Sequence, residues 1–247
     1  MGPGARRLAA QAACLVVVDV LSFTTAVSVA VQQGIRVLPF WLPDEPASAV
    51  EQAAAEKAAE VFARQSGARL AAPRHAVTPA TPWSLSPAQL RAAPFVARLV
   101  LPSPNGASIA AAARPSVRVV AACLRNISAV GGWLTAHGYG TPERPVAVIA
   151  AGEQWPDGSL RPALEDLLGA GALISDLHAQ GAGPLSAEAA AAKATYEGTA
   201  DLAHAVAVSA SGRRLTATGF VEDVAIATEE DTCTMPVRDG DGAFAPG

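Results

Sequence analysis

The chain has 247 residues, 51% of them hydrophobic and 16% charged, with a formal net charge of -4. That length and composition suit a folded, enzyme-sized protein with a proper core and exclude a disordered chain. Sparse charge with no basic run leaves no electrostatic footprint for nucleic acid or an anionic membrane surface, and no apolar run approaches the length that crosses a bilayer.

The elements follow in chain order. Arginines before an apolar run at the N-terminus imitate a signal peptide, but the run meets Asp19 and passes straight into a fold pattern, so a cytoplasmic location is expected. Residues 14–18, CLVVV, predict a buried strand ending at Asp19, and Ser22 opens a helix that runs to Gln33 with Gly34 as its stop. Residues 35–38 predict a second strand. Residues 46–65 predict a long helix with Asp44 and Glu45 near its positive end and Gly67 closing it. Prolines then punctuate residues 71–94, where neither helical nor strand periodicity survives, and a long ordered loop or lid is expected.

The next stretch repeats one pattern. The apolar run 99–101 leads into a loop centred on Asn105 and an Ala-rich helical segment, 107–113; the run 117–122 then leads through Cys123-Leu124-Arg125-Asn126 into a helical segment, 127–134. Short apolar runs alternating with helices predict an α/β fold, a largely parallel sheet with helices on both faces, built from repeated strand-loop-helix units. Ligands of such sheets bind beyond the strand ends, which is where Asp19, Asn105 and Asn126 are expected to meet.

After a connection at 138–145, where two lobes of one unit spanning 1–247 would join, residues 146–150 predict another strand ending in Gly152-Glu153. A loop, 154–161, leads to a helix at 164–174 whose small residues would let a neighbouring backbone approach. Residues 186–205 predict one or two helices, 234–237 a last strand, and 239–247 a frayed tail.

The familiar phosphate-loop, dinucleotide, nucleophile-elbow and zinc-protease motifs are absent. Cys14, Cys123 and Cys233 are far apart in sequence, so neither a disulfide framework nor a structural zinc site is indicated. Acids and amides remain. Carboxylates converging on one edge would hold a hard cation such as magnesium, and loops at helix N-termini would hold an anion, which together favour a phosphorylated substrate beside a metal. Each residue also has a purely structural use: Asp19 as a helix cap, Asn105-Gly106 as a turn, Glu165 and Asp166 opposing a helix dipole, Glu222-Asp223 and residues 229–231 as solvated surface, and Cys123 as a core residue instead of a nucleophile.

The pieces VVVDVLSFTTAV, SLSP (84–87), LPSPNGAS, CLRNISAV, AGE with LEDLLGAGALI, and GRRLTATGFVEDVAIATEEDTCTMPV occur in an order that resembles the 2-phosphosulfolactate phosphatase family. The resemblance implies a magnesium-dependent hydrolase that frees phosphate and 3-sulfolactate, a step in coenzyme M biosynthesis. It implies that Asp19, Glu165 and Asp166 hold the metal and its water, while Ser103, Asn105, Gly106, Arg125 and Asn126 cradle phosphate, with Asp231 a further candidate. Departures are visible: Ser22 stands where the family has Arg, Ala72-Pro73-Arg74 where it has Gly-Glu-Arg, and Ser84-Leu85-Ser86-Pro87 where it has Gly-Asn-Ser-Pro. These departures point to another small phosphorylated acid as substrate, or to a phospho-ligand binding protein without turnover. The apolar, charge-poor composition also points to self-association.

Overall fold

The computed structural model describes residues 12–42, 48–111, 113, 117–155 and 157–247. Its centre is an eight-stranded, mostly parallel sheet in the order β3-β4-β2-β10-β9-β5-β1-β6. The strands are β1 (Cys14–Val18), β2 (Arg36–Trp41), β3 (Arg69–Leu70), β4 (Arg98–Ser103), β5 (Arg118–Ala122), β6 (Val146–Ala150), β9 (Pro236–Arg238) and β10 (Phe244–Pro246). A separate antiparallel hairpin joins β7 (Glu153–Gln154) to β8 (Leu160–Arg161), in what the sequence reads as plain loop.

Both faces of the sheet are buried, and β1 shows how. Leu15 and Val17 pack with α1 (Phe23–Gln32) in one core, whereas Cys14, Val16 and Val18 pack on the other face with α5 (Ile127–Ala136) and α6 (Leu164–Ala179). A continuous β-branched run is what a strand covered on both sides requires. A third, smaller core lies under α2 (Ala49–Gln65), where Ala63 meets Leu38 and Val100. The expected start of this helix at Pro46, with Asp44 and Glu45, lies outside the described residues. Within α6, Gly171 lets α7 (Ala187–Glu197) approach: a Cβ there would lie 2.2 Å from the Ala192 carbonyl oxygen.

Two expectations change. The tail is part of the sheet: within 239–247, β10 pairs with β9, which falls on the strand expected at 234–237, in the antiparallel hairpin that joins the two parallel halves, and Phe244 is fully buried, paired with Val37 and edge-on to Phe23 at 6.1 Å. The apolar residues Val237, Ala243 and Phe244 drive this, although Gly and Asp surround them. The proline-rich segment, read as a loop or lid, carries a helix, α3 (Pro87–Ala92), capped by the Ser86 hydroxyl, which accepts the Gln89 N–H at 3.2 Å. Serine followed by proline at the first helical position was its legible start signal.

The hairpin reverses strand sense, so by ladder pairing β4 runs opposite to β1, with four strands between them. In a flat sheet their ends would lie about 24 Å apart, on opposite edges. Five steps of right-handed twist accumulate about 100–125°. This coiling brings the loop after β4 onto the loop after β1, which positions the site. The connection 138–145 runs between β5 and β6, which flank β1 in that one sheet.

Candidate active site

Asp19 leaves β1 at the start of the turn into α1. Its Oδ1 accepts the Phe23 N–H at 3.1 Å, and its Oδ2 accepts the Gly106 N–H at 2.8 Å, at the start of α4 (Gly106–Ala111). Gly106 admits no side chain here, since a Cβ would lie 2.7 Å from Asp19 Oδ2 and 2.6 Å from the Phe23 ring. Asp166, in the first turn of α6, accepts the Val20 N–H and the Gly152 N–H, both at 2.8 Å, and so ties the ends of β1 and β6 together. Glu153 opens β7. Its Oε2 accepts from Asn105 Nδ2 at 3.1 Å and its Oε1 from Arg214 Nη2 at 2.9 Å.

These acids crowd one another away from water. Burial pushes the Asp19 carboxyl up to about 6; the N–H bonds from Phe23 and Gly106 oppose the rise, and the Glu153 charge adds to it. Burial also raises Asp166 well above the ordinary carboxylate range, helped by the charges of Asp19 and Glu165. Glu165 is itself buried.

A cleft of about 370 Å³ adjoins this group. Arg74 and His75 line it from the proline-rich segment, Pro102 from the end of β4, and Arg214 from α9 (Ala210–Ala217). Arg74 is anchored beneath it: Nη2 donates to Ser22 Oγ, and Nε lies 3.4 Å from Asp223 Oδ2, with the guanidinium 5.7 Å from the Phe220 ring centroid. Asp223 opens α10 (Val221–Ala227), is fully buried and accepts from the Ser86 hydroxyl and the Ala88 N–H. The expectation of a solvated face thus fails at Asp223, because the proline-rich segment folds over it. A second depression, of about 240 Å³, lies between α5, α6 and α7; Asp176, Glu230 and Asp231 line it, and no arginine, lysine or histidine does, so it would repel a phosphate.

The structure brings Asp19, Asn105, Gly106 and Asp166 together where the loops after β1, β4 and β6 meet, with Asn105 bonded to Glu153, an acid that the sequence places just after a strand. Other sequence-selected residues serve the fold. Gly106 spends its N–H on Asp19. Ser103 Oγ accepts the Asn105 N–H at 3.3 Å. Arg125 is fully buried and donates to Ser28, Gln32 and Glu229. Asn126 closes its own turn, accepting from Cys123 N–H at 2.9 Å and donating to the Ala121 carbonyl at 3.1 Å. Asp231 caps α5 from outside, accepting the Ser128 N–H at 2.7 Å. Cys123 is fully buried and its thiol is pushed up to about 11 by that burial, which suits a core residue and not a nucleophile.

Arg74, His75, Arg214 and Phe220 are the cleft residues that sequence reasoning did not select. Arg74 and Arg214 sat inside the quoted stretches, but neither spacing nor periodicity distinguishes an arginine that faces a cleft from one that faces solvent.

Among the described residues no three His, Cys, Asp or Glu side chains form a ready metal cage, and no helix is long and apolar enough to cross a membrane. A family model described as 2-phosphosulpholactate phosphatase matches residues 4–237 of the 247. No curated protein matches the chain.

Proposed function

Because the chain belongs to the 2-phosphosulpholactate phosphatase family, we propose that it hydrolyses a small phosphorylated acid to the hydroxy acid and phosphate, with magnesium, at the cleft beside Asp19. The observation that carries this reading is the placement of opposite charges: Arg74 and Arg214 line the cleft, and behind them Arg214 bonds the buried Glu153 while Arg74 bonds Ser22 in the turn that follows Asp19.

The residues fit a hard cation. Asp19 and Asp166 are oxygen donors, each of their carboxylate oxygens accepts one backbone N–H and so keeps a lone pair, and burial, with the neighbouring carboxylates adding to it, raises both carboxyls, a rise that a bound cation would oppose. Magnesium uses one or two carboxylates together with phosphate oxygens and water. Asp19 would hold the ion, and Glu165 and Asp166 would add negative charge behind it. When bound, the ion supplies positive charge against the phosphate oxygens and acidifies water.

In the reaction a water oxygen bonds to phosphorus as the ester P–O bond breaks, and the leaving oxygen takes up a proton. Phosphoryl transfer leaves the protein chiefly to position and to neutralise charge. Arg74 and Arg214 draw the phosphate and carboxylate into the cleft, and Asn105 holds Glu153, which in turn aligns Arg214. Cytoplasmic operation and self-association belong to the same proposal.

A non-catalytic phospho-ligand binding protein is the second reading. It is favoured by the engagement of Gly106, Arg125 and Asn126 within the fold, which removes donors from the phosphate. Phosphate release from a panel of small phosphorylated acids, with magnesium and with chelator, separates the two. Chelator-sensitive release that drops at least tenfold in Arg74→Ala supports the phosphatase. Tight binding without release overturns it.

A further inference from the structure

The cleft differs in its two chemistries. Its cations among the described residues are already matched: Arg74 lies 3.4 Å from Asp223, and Arg214 lies 2.9 Å from Glu153, with Arg161 4.0 Å from the same carboxylate. The remaining cleft cation candidate is the single imidazole of His75, which meets the Phe220 ring edge-on at 4.9 Å. Phosphate can share Arg74, Arg214 and a divalent ion, and a carboxylate can sit at the exposed Arg214. Among the described residues the cleft lining holds no further arginine or lysine for a third fixed anion. Burying an anion without a counter-charge is costly.

The rest of the lining is apolar. Leu42, Leu85, Leu215, Phe220, Pro73 and Pro102 face the same space. Leu215 is buried and lines the cleft from α9, and the Phe220 N–H returns to the Leu215 carbonyl at 2.8 Å, closing the turn that follows that helix. A cleft of about 370 Å³ has room for more than a three-carbon acid, and this wall offers a place for an apolar group.

We infer that the cleft selects a 2-phospho acid whose third substituent is alkyl or aryl instead of a sulfonate, with Leu85, Leu215 and Phe220 as the residues that set this preference. The inference rests on the phosphatase reading for the position of the phosphate, but its test does not need turnover.

Three non-hydrolysable phosphonate analogues that differ only in that substituent, methyl, sulfomethyl and benzyl, are titrated into the full chain with magnesium by calorimetry. The benzyl analogue is expected to bind at least tenfold more tightly than the sulfomethyl one, the discrimination that a well-filled apolar pocket supplies. In Phe220→Ala the ratio of the two affinities should fall by about tenfold. Thr218→Lys places a cation at an exposed position of the cleft lining, leaving Leu85, Leu215 and Phe220 in place, and should move the ratio towards the sulfomethyl analogue. Tighter binding of the sulfomethyl analogue by the unaltered protein overturns the inference. Phosphate release from the matching esters, measured in parallel, decides the phosphatase reading by itself: selective binding of the benzyl analogue without release would sink that reading and leave the selectivity standing.

Discussion

The Gly106 N–H donates to Asp19 Oδ2 at 2.8 Å, which fastens the loop after β4 to the loop after β1 although four strands separate them in the sheet. The bond exists only because the sheet coils and because residue 106 has no side chain. Gly106→Ala would drive a methyl group into the Phe23 ring and the Asp19 carboxylate. The expected cost is about 1–3 kcal/mol, as for overpacking elsewhere, together with a displaced Asp19 and lost turnover. Urea unfolding and phosphate release measure the two effects; unchanged values for both would mean that the contact places nothing.

Asp19 gives a pH signature with a definite sign. Its carboxyl stands at about 6 in the fold against an ordinary value of 3.8, so the folded state holds the proton more tightly. Stability from this group is therefore full below about pH 4 and is lost as pH rises through about 6, a change of order 3 kcal/mol. Asp19→Asn should flatten that part of the stability profile and abolish turnover. Its melting temperature at neutral pH should stay close to the original, because removing a buried charge, and its repulsion by Glu153, offsets the loss of one N–H acceptor. A profile between pH 4 and 6 that is as steep in the variant as in the parent would assign the titration elsewhere.

Asp223 holds the proline-rich segment and Arg74 together. Burial raises its carboxyl, the Ser86 hydroxyl and the Ala88 N–H oppose that rise, and Arg74 supplies the counter-charge. In Asp223→Asn the amide keeps one acceptor oxygen but turns an NH₂ towards the guanidinium. A destabilisation of about 1–3 kcal/mol is expected, with faster amide exchange across residues 84–92 and a raised KM. If exchange there is unchanged and KM alone rises, Asp223 acts on Arg74 and not on the segment.

Phe244 anchors the hairpin that joins the two halves of the sheet. Its removal as Phe244→Ala leaves a cavity against Phe23 and Val37, and the expected loss is about 3–5 kcal/mol. Thermal unfolding checks it. A loss below 1 kcal/mol would show that the hairpin adds little to the sheet.

Much of the architecture was legible because it is written in local pattern. The CLVVV run at residues 14–18 can only be a strand buried on both faces, and it is. Ser22 and Gly34 bracket a helix, the Asn105 loop falls between a strand and a helix, and the glycines of α6 announce a close neighbour. The strand expected at 234–237 corresponds to β9, but its hairpin partner β10 escaped because a three-residue strand among Gly and Asp carries no period. Asp223 escaped because a Glu-Asp pair on a short helix looks the same whether water or a folded loop covers it.

Asp19, Asn105 and Asp166 could be selected one by one, since an acid or amide just after a strand or in the first turn of a helix is visible in the order of residues. Their assembly into one group with Glu153, and the turning of Arg125 and Asn126 away into the fold, could not. Periodicity specifies which face of a strand or helix is buried, a property of neighbours in sequence. Which strand ends meet depends on the accumulated twist of the sheet and on the antiparallel hairpin inserted at its middle, and both are sums over the whole chain. The same coiling sets Arg74 and Arg214 at one cleft, with the buried acids beside it and apolar residues along its wall, so the charge balance of the site was decided by the tertiary structure alone.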